Sequence, residues 1–196
     1  MNESMLVQKL LNEENGTMLA RTAVRGGLKR SVLSRMVKNG VLERADRGVY
    51  VRTGELEDEM YSLQQRARKI VYSHETALFL HGFTDRTPVT YSITVPSAYK
   101  PSSALKGRCK IYYIKPELID LGKESLATGM GHDVISYNAE RTVCDVVRSR
   151  NKIDRQVVLE ALKNYVERKP DLNKLGGYSK KLGIYRILFQ YMEVLL

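Results

Sequence analysis

The segment from Gly26 to Arg52 limits the possible folds of this chain more than any other part of the sequence. The glycine pair Gly26-Gly27 precedes the run Leu28–Gly40, whose apolar residues fall on one side of a helix. These apolar residues are Leu28, Val32, Leu33, Met36 and Val37. Two strand-like runs, 41–44 and 48–52, then flank Ala45-Asp46-Arg47, which is typical of a short hairpin. The order predicts a tight turn, a helix and a β-hairpin.

Two further helices are predicted before the glycine pair. The first has Ser4 as its expected N-cap and ends at Asn15-Gly16. Its apolar residues are Leu6, Val7, Leu10 and Leu11. Thr17 is the expected cap of the second helix, whose apolar face consists of Met18, Leu19, Ala23 and Val24. Three helices followed by a two-stranded wing predict a winged helix-turn-helix domain over residues 1–54.

In a winged helix-turn-helix the third helix lies in the major groove, where Arg, Ser and Lys side chains can bond base edges. The residues expected to do so here are Lys29, Arg30, Ser31, Ser34, Arg35 and Lys38. Arg47 at the wing tip would reach phosphate or the minor groove, and Arg21, Arg25 and Arg44 would flank the DNA backbone. The alternative is a winged helix that binds protein and leaves its basic face solvated.

The net charge of +10 is concentrated at the two ends of the chain. Residues 17–52 hold nine Lys or Arg and two acidic residues, whereas residues 53–149 hold twelve of each. A localised positive patch attracts phosphate, so the first cluster favours a nucleic-acid partner. Residues 150–196 hold ten basic and five acidic residues. The basic residues weighed there are Lys163, Arg168, Lys169, Lys174, Lys180, Lys181 and Arg186, which form either a solvated face or a second surface for flanking DNA or an acidic partner.

The remainder, residues 55–196, is predicted to be a second domain of α+β class. Four acidic residues, Glu55, Glu57, Asp58 and Glu59, mark the change of composition and open a helix toward Arg68. The predicted strands are Tyr91–Val95, Lys110–Ile114 and Asp133–Tyr137. Ser73, Asn138 and Asp154 are expected to cap helices, Gly176-Gly177 and Gly183 to separate the last two, and the final helix to bury Ile184, Leu188, Phe189 and Met192.

An enzyme in this second domain is the competing hypothesis. His74 and His81 could share a helix face with Glu75, but zinc sites on helices use closer pairs and a third ligand, which favours structural roles. Glu140, Arg141 and Asp145 are spaced as a structural ion pair or, less favoured, as a general acid/base couple. No phosphate-binding glycine motif occurs. We therefore expect no catalytic site, no cofactor and no metal.

The compartment is predicted from cysteines and hydropathy. Cys109 and Cys144 stand alone, as reduced core residues do. No run approaches the ~18 apolar residues of a membrane span, and the start of the chain lacks the pattern of a signal peptide. A cytoplasmic protein that does not contact membranes is expected.

Four motifs in this order resemble the AbiEi-type antitoxins of bacterial abortive-infection (type IV toxin-antitoxin) systems, which confer phage resistance. The motifs are Leu33-x-x-Met36-Val37-x-x-Gly40-x-Leu42-x-Arg44-x-x-Arg47-Gly48-x-Tyr50, Ser73-His74-Glu75-Thr76-Ala77-Leu78-x-x-His81-Gly82, Thr94-Val95-Pro96 and Glu140-Arg141-Thr142-x-x-Asp145. The resemblance implies a winged helix that binds inverted repeats at its own promoter. It also implies a second domain that opposes a nucleotidyltransferase-type toxin.

The expected mechanism is repression by occupancy of double-stranded DNA. One winged helix covers too few base pairs for a unique genomic address, so two copies are expected to associate on two half-sites. The alternatives are a stand-alone transcription regulator and, less favoured, an enzyme that processes nucleic acid.

Overall fold

A computed structural model describes residues 2–168 and 170–195, apart from the side chain of Val194. Within these ranges it contains ten α-helices and eight strands arranged in two small sheets, so the predicted α+β class is confirmed. The chain divides into two compact units, residues 1–68 with 127–134 and residues 69–126 with 135–196. The first unit therefore extends beyond residue 54, where the sequence predicted a domain boundary.

The first unit is built from short elements. They are α1 (Glu3–Glu13), β1 (Met18–Leu19), α2 (Ala20–Arg25), α3 (Arg30–Lys38), β2 (Leu42–Asp46), β3 (Val49–Arg52) and α4 (Glu59–Arg66). The three strands form an antiparallel sheet in the order β1-β3-β2. The helices bury one apolar cluster, which includes Val7, Leu11, Ala23, Leu33 and Leu42. The predicted amphipathic faces of α1 and α3 are thus the faces that form this core.

Several local predictions in this unit are wrong because tertiary contacts override the helix pattern. Met18 and Leu19 do not open a helix; they pair with Tyr50 and Val49 of β3. The Thr17 hydroxyl accepts a hydrogen bond from the Asp58 backbone N–H at 3.1 Å and caps nothing.

Three further details of the unit differ from the sequence prediction. Asn2, not Ser4, is the N-cap of α1. Val24, assigned to an apolar face, is 43% exposed. The hairpin turn consists of Arg47-Gly48, because β2 continues to Asp46 through an irregularity in its register with β3.

The second unit combines a mixed sheet with helices. Its elements are β4 (Val71–Tyr72), α5 (His74–Leu80), β5 (Tyr91–Pro96), α6 (Ser103–Arg108), β6 (Cys109–Ile114), a 3₁₀ turn (Pro116–Leu118), β7 (Lys123–Ala127), β8 (Asp133–Tyr137), α7 (Ala139–Arg148), α8 (Arg155–Glu167), α9 (Leu172–Lys181) and α10 (Tyr185–Leu195). The strand order is β6-β5-β4-β8-β7, and the turn between β7 and β8 groups with the first unit. The three predicted strands are confirmed, and β4 and β7 are additions.

Side chains cap the helices of the second unit as the sequence predicts in two of three cases. Asn138 accepts from the Arg141 N–H and Asp154 from the Gln156 N–H, at the starts of α7 and α8. Ser73 stands at the N-cap position of α5, but its hydroxyl makes no capping bond.

Two predictions about the last helices are wrong. Gly176-Gly177 lie inside α9 instead of ending a helix. Of the three glycines, only Gly183 lies in the connection between α9 and α10. Phe189, expected to be buried, is 49% exposed.

The core of the second unit lies where α7 and α8 pack with the C-terminal helices, and it includes Val143, Val147, Leu162 and Leu188. Cys109 and Cys144 are buried free thiols, as expected. Burial raises the pKa of Cys109 to about 11, so its thiol stays protonated near neutral pH. None of the helices among the described residues is long and apolar enough to span a membrane.

Candidate nucleic-acid interface

Two glycines set the position of α3 after α2. The Leu28 N–H donates to the Ala23 carbonyl at 3.0 Å across the turn. Gly27 has a φ of +96°, a conformation that favours glycine. A Cβ at Gly26 would lie 3.0 Å from Leu10 Cδ1, so a larger residue would require the Leu10 side chain of α1 to shift. The turn therefore fixes which face of α3 is buried.

That buried face is apolar and the opposite face is cationic. Val32 and Leu33 pack into the core of the unit. The exposed face carries Lys29, Arg30, Ser31, Ser34, Arg35 and Lys38, as predicted. Within the described part of the chain, the side chains of Lys29, Arg30 and Lys38 form no hydrogen bond or ion pair, and the Ser34 hydroxyl donates to the Arg30 carbonyl at 3.3 Å. The three cations are free to meet an anion.

Arg35 differs from its neighbours because it has an intramolecular partner. Its guanidinium pairs with the Glu3 carboxylate at the start of α1. The two side chains are 59% and 50% exposed, and an ion pair this exposed contributes little to stability. A phosphate could therefore replace Glu3 at small cost.

Arg47 stands at the tip of the β2–β3 hairpin, which is held by one bond within the turn and by contacts with α4 and α2. The Asp46 carboxylate accepts from the Arg47 backbone N–H and pairs with Arg66 of α4, both at 2.6 Å. The Ala20 N–H donates to the Gly48 carbonyl at 2.8 Å, which joins the turn to the start of α2. The Arg47 side chain itself is exposed and makes no ion pair with a described residue. The backbone of the hairpin turn is thus fixed, while the Arg47 side chain is exposed and available to bind an anion.

The three arginines predicted to flank DNA fall into two groups. Arg25 and Arg44 are exposed. Arg21 is half-buried, and its guanidinium donates to the Gln65 backbone carbonyl at 3.2 Å and to the Gln65 side-chain oxygen. Burial and the neighbouring Arg68 lower the pKa of Arg21. Arg21 is therefore held by α4, whereas the other two extend into solvent.

The basic residues of the C-terminal region do not form one uniform set. Lys163, Lys180, Lys181 and Arg186 are exposed. Lys174 pairs with Glu140 at 3.1 Å. Arg168 donates to the carbonyls of His81 and Gly82, both at 2.6 Å, and Lys169 lies outside the described residues. Four of the predicted lysine and arginine side chains thus remain available to a partner.

The histidines considered for metal binding are occupied by structural contacts. His74 is fully buried, with Nδ1 2.9 Å from Ser73 Oγ, Nε2 3.0 Å from Ser149 Oγ, and its ring stacked on Tyr112. Burial holds the pKa of His74 well below 6.5, so the ring is neutral at pH 7. His81 Nε2 lies 2.8 Å from the Tyr137 carbonyl oxygen. Among the described residues no group of three or more His, Cys, Asp and Glu could hold a metal ion.

The second set considered for catalysis forms a buried ion pair inside the core. Arg141 Nε donates to Asp145 Oδ2 at 3.0 Å, and the two side chains are 0% and 1% exposed. The Arg141 Nη1 group donates to the carbonyls of Leu118 and Leu121 at 2.9 and 2.8 Å. Burial raises the pKa of Asp145, although Arg141 and Arg148 act in the opposite direction. This geometry ties α7 to the segment before β7.

Several residues that position the candidate interface carry no signal in the sequence. Glu3, Gln65 and Arg66 hold Arg35, Arg21 and the hairpin respectively. His132, in the turn between β7 and β8, joins the rest of the first unit through Asp58 Oδ2 at 2.9 Å and the Glu14 carbonyl at 2.8 Å. These partners are far apart along the chain, so no local pattern predicts them.

The comparisons define the chain only at the level of its fold. It is an α+β protein, and neither a protein-family model nor a curated protein matches it. Among solved structures, the crystal structure of the Rv2827c protein from Mycobacterium tuberculosis is similar in fold, with a TM-score of 0.50 and 13% sequence identity. The match covers 94% of this chain and 80% of that one.

Proposed function

We propose that this protein is a DNA-binding regulator that reads double-stranded DNA with α3 and the β2–β3 hairpin of its first unit. The order of helix, strand, helix, helix, strand, strand is that of winged helix domains and supports this assignment. The observation that carries the proposal is the exposed cationic face of α3, together with a hairpin tip in the same unit that presents the exposed Arg47. Arg, Lys and Ser are among the donors that bond base edges and phosphate.

The resemblance to AbiEi-type antitoxins extends the proposal. On that basis the protein represses its own operon by binding inverted repeats as a pair of copies, in the bacterial cytoplasm. The second unit opposes a partner toxin of nucleotidyltransferase type. The proposal assigns no catalytic step to the chain. A gene for such a toxin beside this one would distinguish the antitoxin from a stand-alone regulator.

The test is binding of the purified protein to labelled DNA from its own promoter region, measured by fluorescence anisotropy over a range of salt concentrations. The triple variant Arg35→Ala, Lys38→Ala and Arg47→Ala should lose operator affinity while its circular dichroism spectrum stays unchanged. The matched control is Lys100→Ala with Lys106→Ala and Lys115→Ala, which also removes three exposed positive charges, here from the second unit. Each phosphate contact that a substitution removes should reduce the slope of log affinity against log salt by about 0.9. Retention of wild-type affinity by the triple variant would rule the proposal out.

Glu3 gives a second variant with the opposite expectation. Glu3→Gln removes the carboxylate that pairs with Arg35 and leaves the side chain nearly the same size. If Arg35 contacts DNA, this variant should bind the operator more tightly than the wild type, because the competing anion is gone. An unchanged affinity would remove Arg35 from the proposed interface and leave the other residues in place.

A further inference from the structure

Two adjacent glycines inside α9 have no explanation in the packing of this chain. Gly176 and Gly177 lie in the middle of α9, where glycine is the least favourable residue apart from proline. Neither has a positive φ, so an alanine could adopt the same backbone. A Cβ at either position would meet no described atom within 4 Å. The two glycines thus make α9 less stable than alanines would, and no contact within the described chain requires them.

One of these glycines lines an open apolar groove between α9 and α10. The α9–α10 groove has a volume of about 150 Å³, with Leu175 and Leu188 buried at its floor beside Gly176. Its walls are Leu172, Tyr185 and Phe189, which are 46%, 41% and 49% exposed. Large apolar side chains this exposed and grouped together are characteristic of an interaction surface. Gly177 is not part of the lining.

The charges around the groove indicate the kind of partner. Lys180 Nζ lies 5.2 Å from the centre of the Tyr185 ring, and Lys181 and Arg186 are also exposed on the same two helices. Asp171 caps the start of α9, α9 itself holds no acidic residue, and α10 holds Glu193. A second copy of this chain would bring like charges together, and DNA would gain nothing from the apolar walls. An acidic surface with apolar residues complements both features.

We propose that the α9–α10 groove binds an amphipathic helix of another protein, with apolar residues on one face and carboxylates beside them. The apolar face would lie against Leu172, Tyr185 and Phe189, and the carboxylates would meet Lys180 and Arg186. This is the helix-in-groove mode of recognition. This binding mode explains the glycine at position 176, because the absence of a side chain lets the backbone of the partner helix approach α9. The inference does not depend on DNA binding by the first unit.

The probe is a synthetic peptide about five helical turns long, with leucines at i, i+3, i+4 and i+7 and glutamates at the remaining positions. Binding of the labelled peptide to the full chain is measured by fluorescence anisotropy. We expect saturable binding that weakens at high salt, and at least about tenfold weaker binding by Phe189→Ser. A scrambled peptide of the same composition and a peptide with lysine for glutamate are expected to bind at least about tenfold more weakly.

The glycine pair supplies a matched control that separates binding from folding. Gly176→Ala and Gly177→Ala should each raise the melting temperature by about 4 °C, because alanine is the better helix former. Only Gly176→Ala should weaken peptide binding, by about tenfold, since its methyl group occupies the groove. A variant that is more stable but binds less well cannot be explained by a merely structural role of the position.

Three results would overturn the proposal. The first is the absence of peptide binding, or equal binding of the scrambled peptide. The second is equal behaviour of Gly176→Ala and Gly177→Ala toward the peptide. The third is self-association of the wild-type chain, seen by light scattering and abolished by Phe189→Ser, which would assign the groove to a second copy.

Discussion

His74 makes the stability of the second unit depend on pH in a direction that the structure fixes. The imidazole is fully buried, lies between the hydroxyls of Ser73 and Ser149, and is stacked on Tyr112. Burial lowers the pKa of His74 well below 6.5, and the neighbouring Arg148 and Lys110 add to the effect. The native state therefore keeps the His74 ring neutral at a pH at which the unfolded chain already takes up a proton.

The sign of the effect follows from the unfolded chain, in which a histidine has a pKa of about 6.5. Below that pH the unfolded state takes up a proton that the native state excludes, so stability falls as the pH falls. The slope can approach about 1.4 kcal/mol per pH unit, so between pH 6.5 and 5 the loss from His74 alone is at most about 2 kcal/mol. Above about pH 8, where the ring is neutral in both states, the same group causes almost no pH dependence.

The measurement compares the wild type with His74→Asn by urea denaturation between pH 5 and 7.5. Asparagine does not titrate, and it tolerates the φ of +50° that His74 adopts. The variant should be less stable at neutral pH, and its stability should fall less steeply between pH 6.5 and 5, by at most about 2 kcal/mol. The ring signals of His74 in the NMR spectrum should titrate well below pH 6.5. Parallel stability curves for the two proteins would show that His74 is not the source of the pH dependence.

Two further predictions concern the packing around Arg141. Gly122→Ala should destabilise the protein by about 2–4 kcal/mol, because the new Cβ would lie 2.7 Å from Arg141 Cβ at a φ of +78°. The control in thermal denaturation is Gly183→Ala, because Gly183 has a similar φ and a Cβ there would have no neighbour within 4 Å. Equal losses of stability in the two variants would contradict the clash with Arg141. Arg141→Met should cost about 3–5 kcal/mol, since it leaves Asp145 buried without the cation that forms its hydrogen-bonded ion pair. Urea denaturation of Arg141→Met with Asp145→Leu should recover part of this loss; a double variant no more stable than Arg141→Met would argue against the buried ion pair.

The sequence predicts the longer elements well because their apolar spacing and caps are local. The helix after Gly27, the strands Tyr91–Val95 and Lys110–Ile114, and the capped helices after Asn138 and Asp154 all occur near the expected positions. In each of these the residue types within one element decide both its conformation and its buried face. Patterns of this kind need no knowledge of the rest of the chain.

Very short strands, and glycines that lie inside a helix instead of ending it, cannot be predicted from local patterns. Met18-Leu19 is a strand only because β3 lies beside it, and two residues are too few for a periodic signal. The pair Gly176-Gly177 predicts the end of a helix, as glycine commonly does. In the structure the helix continues through both, supported by the packing of Leu175 and Ser179 against the core of the unit. Tertiary burial outweighs the local preference in both cases.

The same distinction applies to the candidate interface. A helical wheel identifies the exposed face of α3, but it treats the predicted arginines as equivalent. In the structure they differ in burial and in their hydrogen-bond and ion-pair partners. Arg35 pairs with Glu3 between two exposed side chains, a contact that phosphate could replace at little cost. Arg21 is half-buried and binds both oxygens of Gln65, so moving its guanidinium would leave those groups without their donor. Arg35 therefore remains a strong candidate for DNA contact, whereas Arg21 serves first to hold α2 against α4.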